Sequence, residues 1–217
     1  MACIRVRATA KRCMRENRLS ARIVALGVGV LALAALRMQF DALLEPVASG
    51  PVWAKIWVMA AYFTILTNGL VAVAMFAAAQ GRALSGRVAG GVLLSILMVG
   101  IIYYVILARL WDPQGLAYWA DQGLHTAVPL ATLGWWLAFA PKDARLRDLP
   151  FWLIWPLVYC LYSLIRGAMT GFWPYPFIDL PALGPLRLSL NIAGLVVAFG
   201  LLGLVIVGLG RGMRRSA

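Results

Sequence analysis

Six long apolar runs divide this chain, at about residues 19–36, 53–80, 88–110, 117–140, 149–166 and 186–210. Each is long enough to cross a bilayer as a helix with some tilt. In hydrocarbon every backbone N–H and C=O must find a partner inside the protein, so a spanning segment is a helix or a strand of a closed barrel. Barrel strands alternate polar and apolar residues over about 10 positions, and these runs do not. The expected fold is an all-α membrane protein, a six-transmembrane-helix bundle. Composition closes the other routes. Only 13% of the residues are charged and 63% are hydrophobic, with a mean hydropathy of +0.84. A soluble domain carries about 25% charged residues, and disorder requires low hydrophobicity.

The charge pattern orients the bundle. Of the 20 Lys and Arg residues, fifteen fall in the N-terminal tail, the 81–87 and 141–149 connections and the C-terminal end. Five (Arg37, Lys55, Arg109, Arg166 and Arg187) fall on the other side. Basic residues favour the cytoplasmic side, so both termini are expected there. The domain plan is then a basic cytoplasmic tail over 1–22, a membrane domain over 23–210 and a basic tail over 211–217. The net charge of +12 is accounted for by this topology and by anionic inner-leaflet lipid under the tail, with no nucleic-acid partner. The first apolar run, preceded by basic residues and ending in alanines, also has the form of a signal peptide; a retained span fits the charge pattern better. Either Met1 or Met14 is the start. Three cysteines (Cys3, Cys13, Cys160) and a single histidine give no disulfide framework and no metal site. No cofactor is expected.

Polar groups at membrane depth are costly and point to function. In the second run Thr64 and Asn68 are four apart and share a helix face. On one straight helix rising about 1.5 Å per residue from Trp53, Thr64 would lie roughly 15 Å deep. In the fourth run Asp121 and His125 share a face, and Pro129 removes the donor that would have served the His125 carbonyl, predicting a kink there. The fifth run offers Tyr159 with Ser163 and Tyr162 with Arg166; the sixth offers Asn191. A hydroxyl nucleophile at neutral pH needs a base within hydrogen-bonding reach, and histidine is the side chain whose ordinary pKa suits. Thr64 with His125 is therefore a minimal dyad. Asp121 is placed to orient the imidazole, and Asn68 or Arg166 to hold an oxyanion or a substrate carboxylate. The plainer alternatives are a threonine bonded to its own i−4 carbonyl and a histidine linking helices.

The 167–186 connection carries Pro174, Pro176, Pro181 and Pro185, which forbid a regular helix, and the aromatics Phe172, Trp173, Tyr175 and Phe177. It is either an interfacial loop or a lid whose Phe172, Trp173, Tyr175 and Asp179 line the mouth of an outward-facing pocket.

Three blocks together resemble a known family, the androgen-induced-gene-1-like and androgen-dependent TFPI-regulating membrane proteins with their bacterial six-span relatives. Tyr62-Phe63-Thr64 with Asn68 resembles an aromatic-x-Thr block of the second span. Gly123-Leu124-His125-Thr126 through Pro129 resembles a Gly-x-His-Thr block of the fourth. Gly171-Phe172-Trp173-Pro174-Tyr175-Pro176-Phe177-Ile178-Asp179 resembles a Tyr-Pro-Phe-acid loop before the last span. The resemblance implies an intramembrane threonine hydrolase of lipid esters, such as fatty acid esters of hydroxy fatty acids. Thr64 would be the nucleophile and His125 the base, acting through an acyl-threonine. The partners implied are a lipid substrate from the bilayer and membrane lipids. An Ala- and Arg-rich composition gives a bacterial inner membrane as the expected location. The alternative is a non-enzymatic lipid-binding or transporting bundle.

Overall fold

The computed structural model describes residues 2–43 and 49–215, with side chains from residue 16 onward. The side chains of the basic tail through Arg15, and with them Cys3 and Cys13, lie outside the described residues, as does Met1. No strand occurs among the described residues. The helices are α1 (Ala2–Asp41), α2 (Val52–Met59), α3 (Phe63–Ala79), α4 (Gly86–Ile102), α5 (Leu116–Gln122), α6 (Val128–Phe139), α7 (Leu149–Thr170) and α8 (Leu180–Arg215). Two π-turns extend this set. Tyr103–Leu107 continues α4, and Gly123–Ala127 joins α5 to α6 in one helical run, 116–139.

Four helical stretches are long and apolar enough to cross a membrane: Glu16–Asp41, Gly86–Leu107, Leu146–Thr170 and Leu180–Arg215. The pair α2 and α3 makes a fifth if the two are taken as one bent span. The exterior is correspondingly greasy. Only 22% of the most apolar window of α7, and of α8, is buried inside the protein, and Val105, Met169 and Leu186 are exposed. Water would not tolerate that surface, and these helices suggest a membrane-embedded protein. The run 116–139 is long enough but falls outside this set, because Asp121, Gln122, His125 and Thr126 dilute its apolarity.

Three expectations change at the level of elements. The second run is not one helix over 53–80: α2 and α3 meet at 99°. Tyr62 stands at the break in an extended conformation, φ −100° and ψ 129°. The carbonyls freed by the break are claimed from α7, where Tyr159 Oη donates to Ala61 O at 2.6 Å and Tyr162 Oη to Ala60 O at 3.1 Å. The Pro129 kink takes the form of a π-turn, in which Val128 N–H bonds the Gly123 carbonyl five residues back. In the fifth connection the prolines do not exclude helix throughout. α7 runs on to Thr170, and α8 begins at Leu180. Pro181 falls in the first turn, where no N–H is required, and Pro185 restarts the helix after Gly184, whose φ of 72° breaks it.

The core lies where α1 packs along α3 and where α4 packs against α3, α6, α7 and α8. It is filled by Val71, Met75, Leu93, Ile96, Trp136 and Trp152. Basic groups gather at one end. There Arg87 Nε meets Asp148 Oδ1 at 2.8 Å, and Arg22 Nε donates to Ala79 O at 2.7 Å. The polar site lies toward the opposite end, near residues 42–43 and the 108–115 and 171–179 connections.

Candidate active site

The elbow between α2 and α3 places Thr64 in the first turn of α3, so the estimate of its depth from a straight helix does not apply. First-turn N–H groups lack acceptors within the helix. That of Thr64 donates to Tyr175 Oη, at 3.4 Å. The Thr64 hydroxyl lies 3.4 Å from His125 Nε2, so two residues 61 apart in sequence meet.

The imidazole is held on three sides. His125 Nδ1 is 3.1 Å from the backbone oxygen of Asp121 and also 3.1 Å from its Oδ1. The hydrogen-bond geometry is met at the carbonyl; Oδ1 stands at ion-pair distance without an aligned bond of its own. With acceptors on both approaches the proton belongs on Nδ1, which leaves the Nε2 lone pair facing the Thr64 hydroxyl. Tyr103 stacks on the ring, centroids 3.9 Å apart and planes 14° apart, and its hydroxyl donates to Asp121 Oδ2 at 2.6 Å. Asp121 is buried and the His125 side chain is 13% exposed. The order is thus Tyr103–Asp121–His125–Thr64, the arrangement of an oriented base beside an alcohol.

Tyr103 is the site residue that reading the sequence missed. Its phenol in the middle of an apolar run was the available signal, because a buried Tyr hydroxyl needs a partner. Tyr175, expected only at a pocket mouth, is buried against Thr64. It lies on the 171–179 connection, outside the candidate spans. Burial pushes its phenol above the ordinary value of 10.0, outweighing the opposing hydrogen bonds at Thr64 and Phe63. The group stays protonated at neutral pH and keeps a proton to donate.

Other predicted residues take different work. Asn68 Nδ2 donates to Thr64 O at 2.9 Å and Leu124 O at 3.3 Å, so both amide protons go to backbone. It ties α3 to the His125 segment and has none left for an oxyanion. Arg166 lines neither cavity at the site. Its guanidinium lies over Trp57, 4.1 Å from the ring centroid, and Nη1 donates to Tyr162 Oη at 2.8 Å. Tyr159 and Tyr162 hold the elbow, and Ser163 is buried beside them against the Tyr159 hydroxyl. Asn191 Nδ2 donates to Phe177 O at 3.0 Å and so anchors the loop. Phe172 packs on the edge of Tyr62 and Trp173 against Gly167. Asp179 Oδ1 accepts from Ala182 N at 3.1 Å and caps α8. Of the four expected mouth residues, only Tyr175 lines the cavities.

Two cavities meet at Thr64. The larger, of about 800 Å³, is lined by Thr64, Tyr103, Asp121, His125 and Tyr175 with Gln39, Asp112 and Gln114. The smaller is a narrow apolar cleft between α3, α4, α7 and α8, lined by Thr64 and Tyr175 and otherwise almost wholly by hydrocarbon, including Leu157, Val196 and Phe199. No cluster of three potential metal-ligating side chains occurs among the described residues. Compared with models of known families, with curated proteins and with solved structures, the chain matches none.

Close packing fixes the histidine segment. A Cβ built on Gly100 of α4 would lie 2.9 Å from the His125 carbonyl oxygen, a backbone atom that cannot rotate away. Gly100→Ala is therefore expected to cost about 1–3 kcal/mol by overpacking. Gly69→Ala in α3, where a Cβ meets nothing within 4 Å, is neutral or stabilising, by up to about 1 kcal/mol. Thermal unfolding of the two variants in detergent checks the difference; equal midpoints would remove the claim.

Proposed function

We propose that the protein is an intramembrane hydrolase of lipid esters, with Thr64 as nucleophile and His125 as general base. The observation that carries this reading is the 3.4 Å approach of Thr64 Oγ1 to His125 Nε2 at the junction of two cavities. Catalytic hydrogen bonds are often this long before substrate binds. The resemblance to the androgen-induced-gene-1-like family supports the same roles for the same two residues.

In this mechanism His125 Nε2 takes the Thr64 proton as the hydroxyl oxygen attacks the ester carbonyl. Asp121 and Tyr103 hold the ring and stabilise the imidazolium. The oxyanion forms beside the Tyr175 hydroxyl, which accepts from Thr64 N–H and has its own proton to give. Collapse expels the alcohol, protonated by His125, and leaves an acyl-threonine. Water entering from the larger cavity gives a proton to His125 and attacks the acyl carbon; the bond to Thr64 Oγ1 then breaks, that oxygen takes the proton back from His125, and the fatty acid leaves.

In the proposed topology α2 with α3 forms a bent second span and 116–139 the fourth, giving six spans with both termini cytoplasmic. The basic end of the bundle then faces the cytoplasm and the site opens toward the outer leaflet of a bacterial inner membrane. Lipid esters enter from the bilayer.

A fluorophosphonate that carries an alkyl chain tests the nucleophile. It is expected to add its mass to the peptide containing Thr64 in wild-type protein and not in His125→Ala. Failure to label wild type, alongside saturable lipid binding, would favour a non-enzymatic lipid-binding or transporting bundle instead.

A further inference from the structure

We infer that the ester lies in one direction across Thr64, acyl chain in the narrow cleft and alcohol in the larger cavity, and that this alcohol carries no negative charge. The inference rests on the hydrolase reading and narrows its substrate class. Direction follows from proton delivery. As the tetrahedral carbon collapses, its bond to the alkoxy oxygen breaks, and that oxygen must take the proton held on His125 Nε2. His125 lines the larger cavity and not the cleft, whereas Thr64 and Tyr175 line both. The departing alcohol therefore sits on the His125 side and the acyl chain on the other. The cleft suits it: apart from Thr64 and Tyr175 its polar side-chain atoms among the described residues are Tyr159 Oη, spent on Ala61 O, and the Cys160 thiol, which hydrogen-bonds only weakly.

Charge follows from the lining of the larger cavity. It presents two carboxylates, Asp112 and Asp121, and no Lys or Arg among the described residues. Arg166, the basic side chain expected to receive a substrate carboxylate, is turned to Trp57 and Tyr162 and lines neither cavity. When the alcohol leaves, the His125 imidazolium is matched by Asp121, so a hydroxy acid leaving group would bring its carboxylate toward the uncompensated charge of Asp112 with no Lys or Arg to meet it, which is unfavourable. The site selects esters of fatty acids with uncharged alcohols, such as a monoacylglycerol.

The test compares the palmitate ester of 12-hydroxystearic acid with the methyl ester of the same compound, both in detergent micelles with purified full-length protein. The methyl ester, which differs by loss of the charge, is expected to have a kcat/KM at least about tenfold higher. Asp112→Asn is expected to narrow that ratio. Faster hydrolysis of the free acid would overturn the charge assignment. For direction, Val196→Trp, or Cys160→Phe on α7 should the first not fold, is expected to lower the ratio of palmitoyl to acetyl ester turnover at least about tenfold, as for a pocket denied several methylenes. Leu110→Trp in the larger cavity should instead lower the ratio of glyceryl to methyl ester turnover. Exchanged or absent effects would overturn the direction. Wild-type protein silent on every ester would overturn the hydrolase reading itself, a result distinct from either of the others.

Discussion

Thr64→Ala is expected to bring lipid-ester hydrolysis to the background rate, a loss on the order of 10⁴-fold or more, while Thr64→Ser retains measurable turnover. The threonine hydroxyl lies 3.4 Å from His125 Nε2 and beside the Tyr175 hydroxyl, and its backbone bonds to Asn68 and Tyr175 do not depend on the side chain. Removing the hydroxyl thus takes away a long hydrogen bond, worth no more than about 1 kcal/mol, and the fold should survive. Serine keeps the oxygen but loses the methyl that restricts χ1, so it samples more rotamers and spends a smaller fraction of time in the productive one. The measurement is initial rates on a panel of fatty acid esters, with thermal midpoints alongside. Alanine and wild-type enzymes hydrolysing the panel at equal rates would remove Thr64 from the mechanism.

The dyad was legible because local spacing reports helix faces. Four residues separate Thr64 from Asn68 and Asp121 from His125, and the structure puts each pair on a common face. That the two faces meet is a tertiary fact, and the isolated histidine was the sequence's main hint of it. The elbow before Thr64 was not legible. Ala60-Ala61-Tyr62 contains neither Gly nor Pro, the usual local breakers. The break is instead sustained by hydroxyls of α7, about a hundred residues on. The roles given to Asn68 and Arg166 failed for a related reason. Residue type shows what a side chain can donate but not which group will claim it: the Thr64 and Leu124 carbonyls take Asn68, and the Tyr162 hydroxyl and Trp57 ring take Arg166. Tyr103 did not stand out, because one phenol costs an apolar run little hydropathy; its bond to Asp121 joins the His125 pairing in compensating for a buried carboxylate.

The same network sets the expectation for His125. Replacing it by alanine should lower kcat/KM by about 10²–10⁴-fold, the usual contribution of a positioned base, and should also destabilise the protein. Asp121 is buried, and without the imidazole only Tyr103 faces it; an under-paired buried polar group costs about 1–3 kcal/mol. Two losses in one variant are ambiguous, so the paired variant is His125→Gln, whose amide offers a donor toward Asp121 but no base. Both variants should lose activity to a similar degree, and alanine should lose more stability. The vacated ring space opens on a cavity of about 800 Å³, wide enough to admit free imidazole, which should restore part of the His125→Ala rate and none of the Thr64→Ala rate. Rates within about threefold of wild type in both histidine variants would be far short of what a general base contributes; the histidine would then be a helix-linking residue and the threonine would need another base.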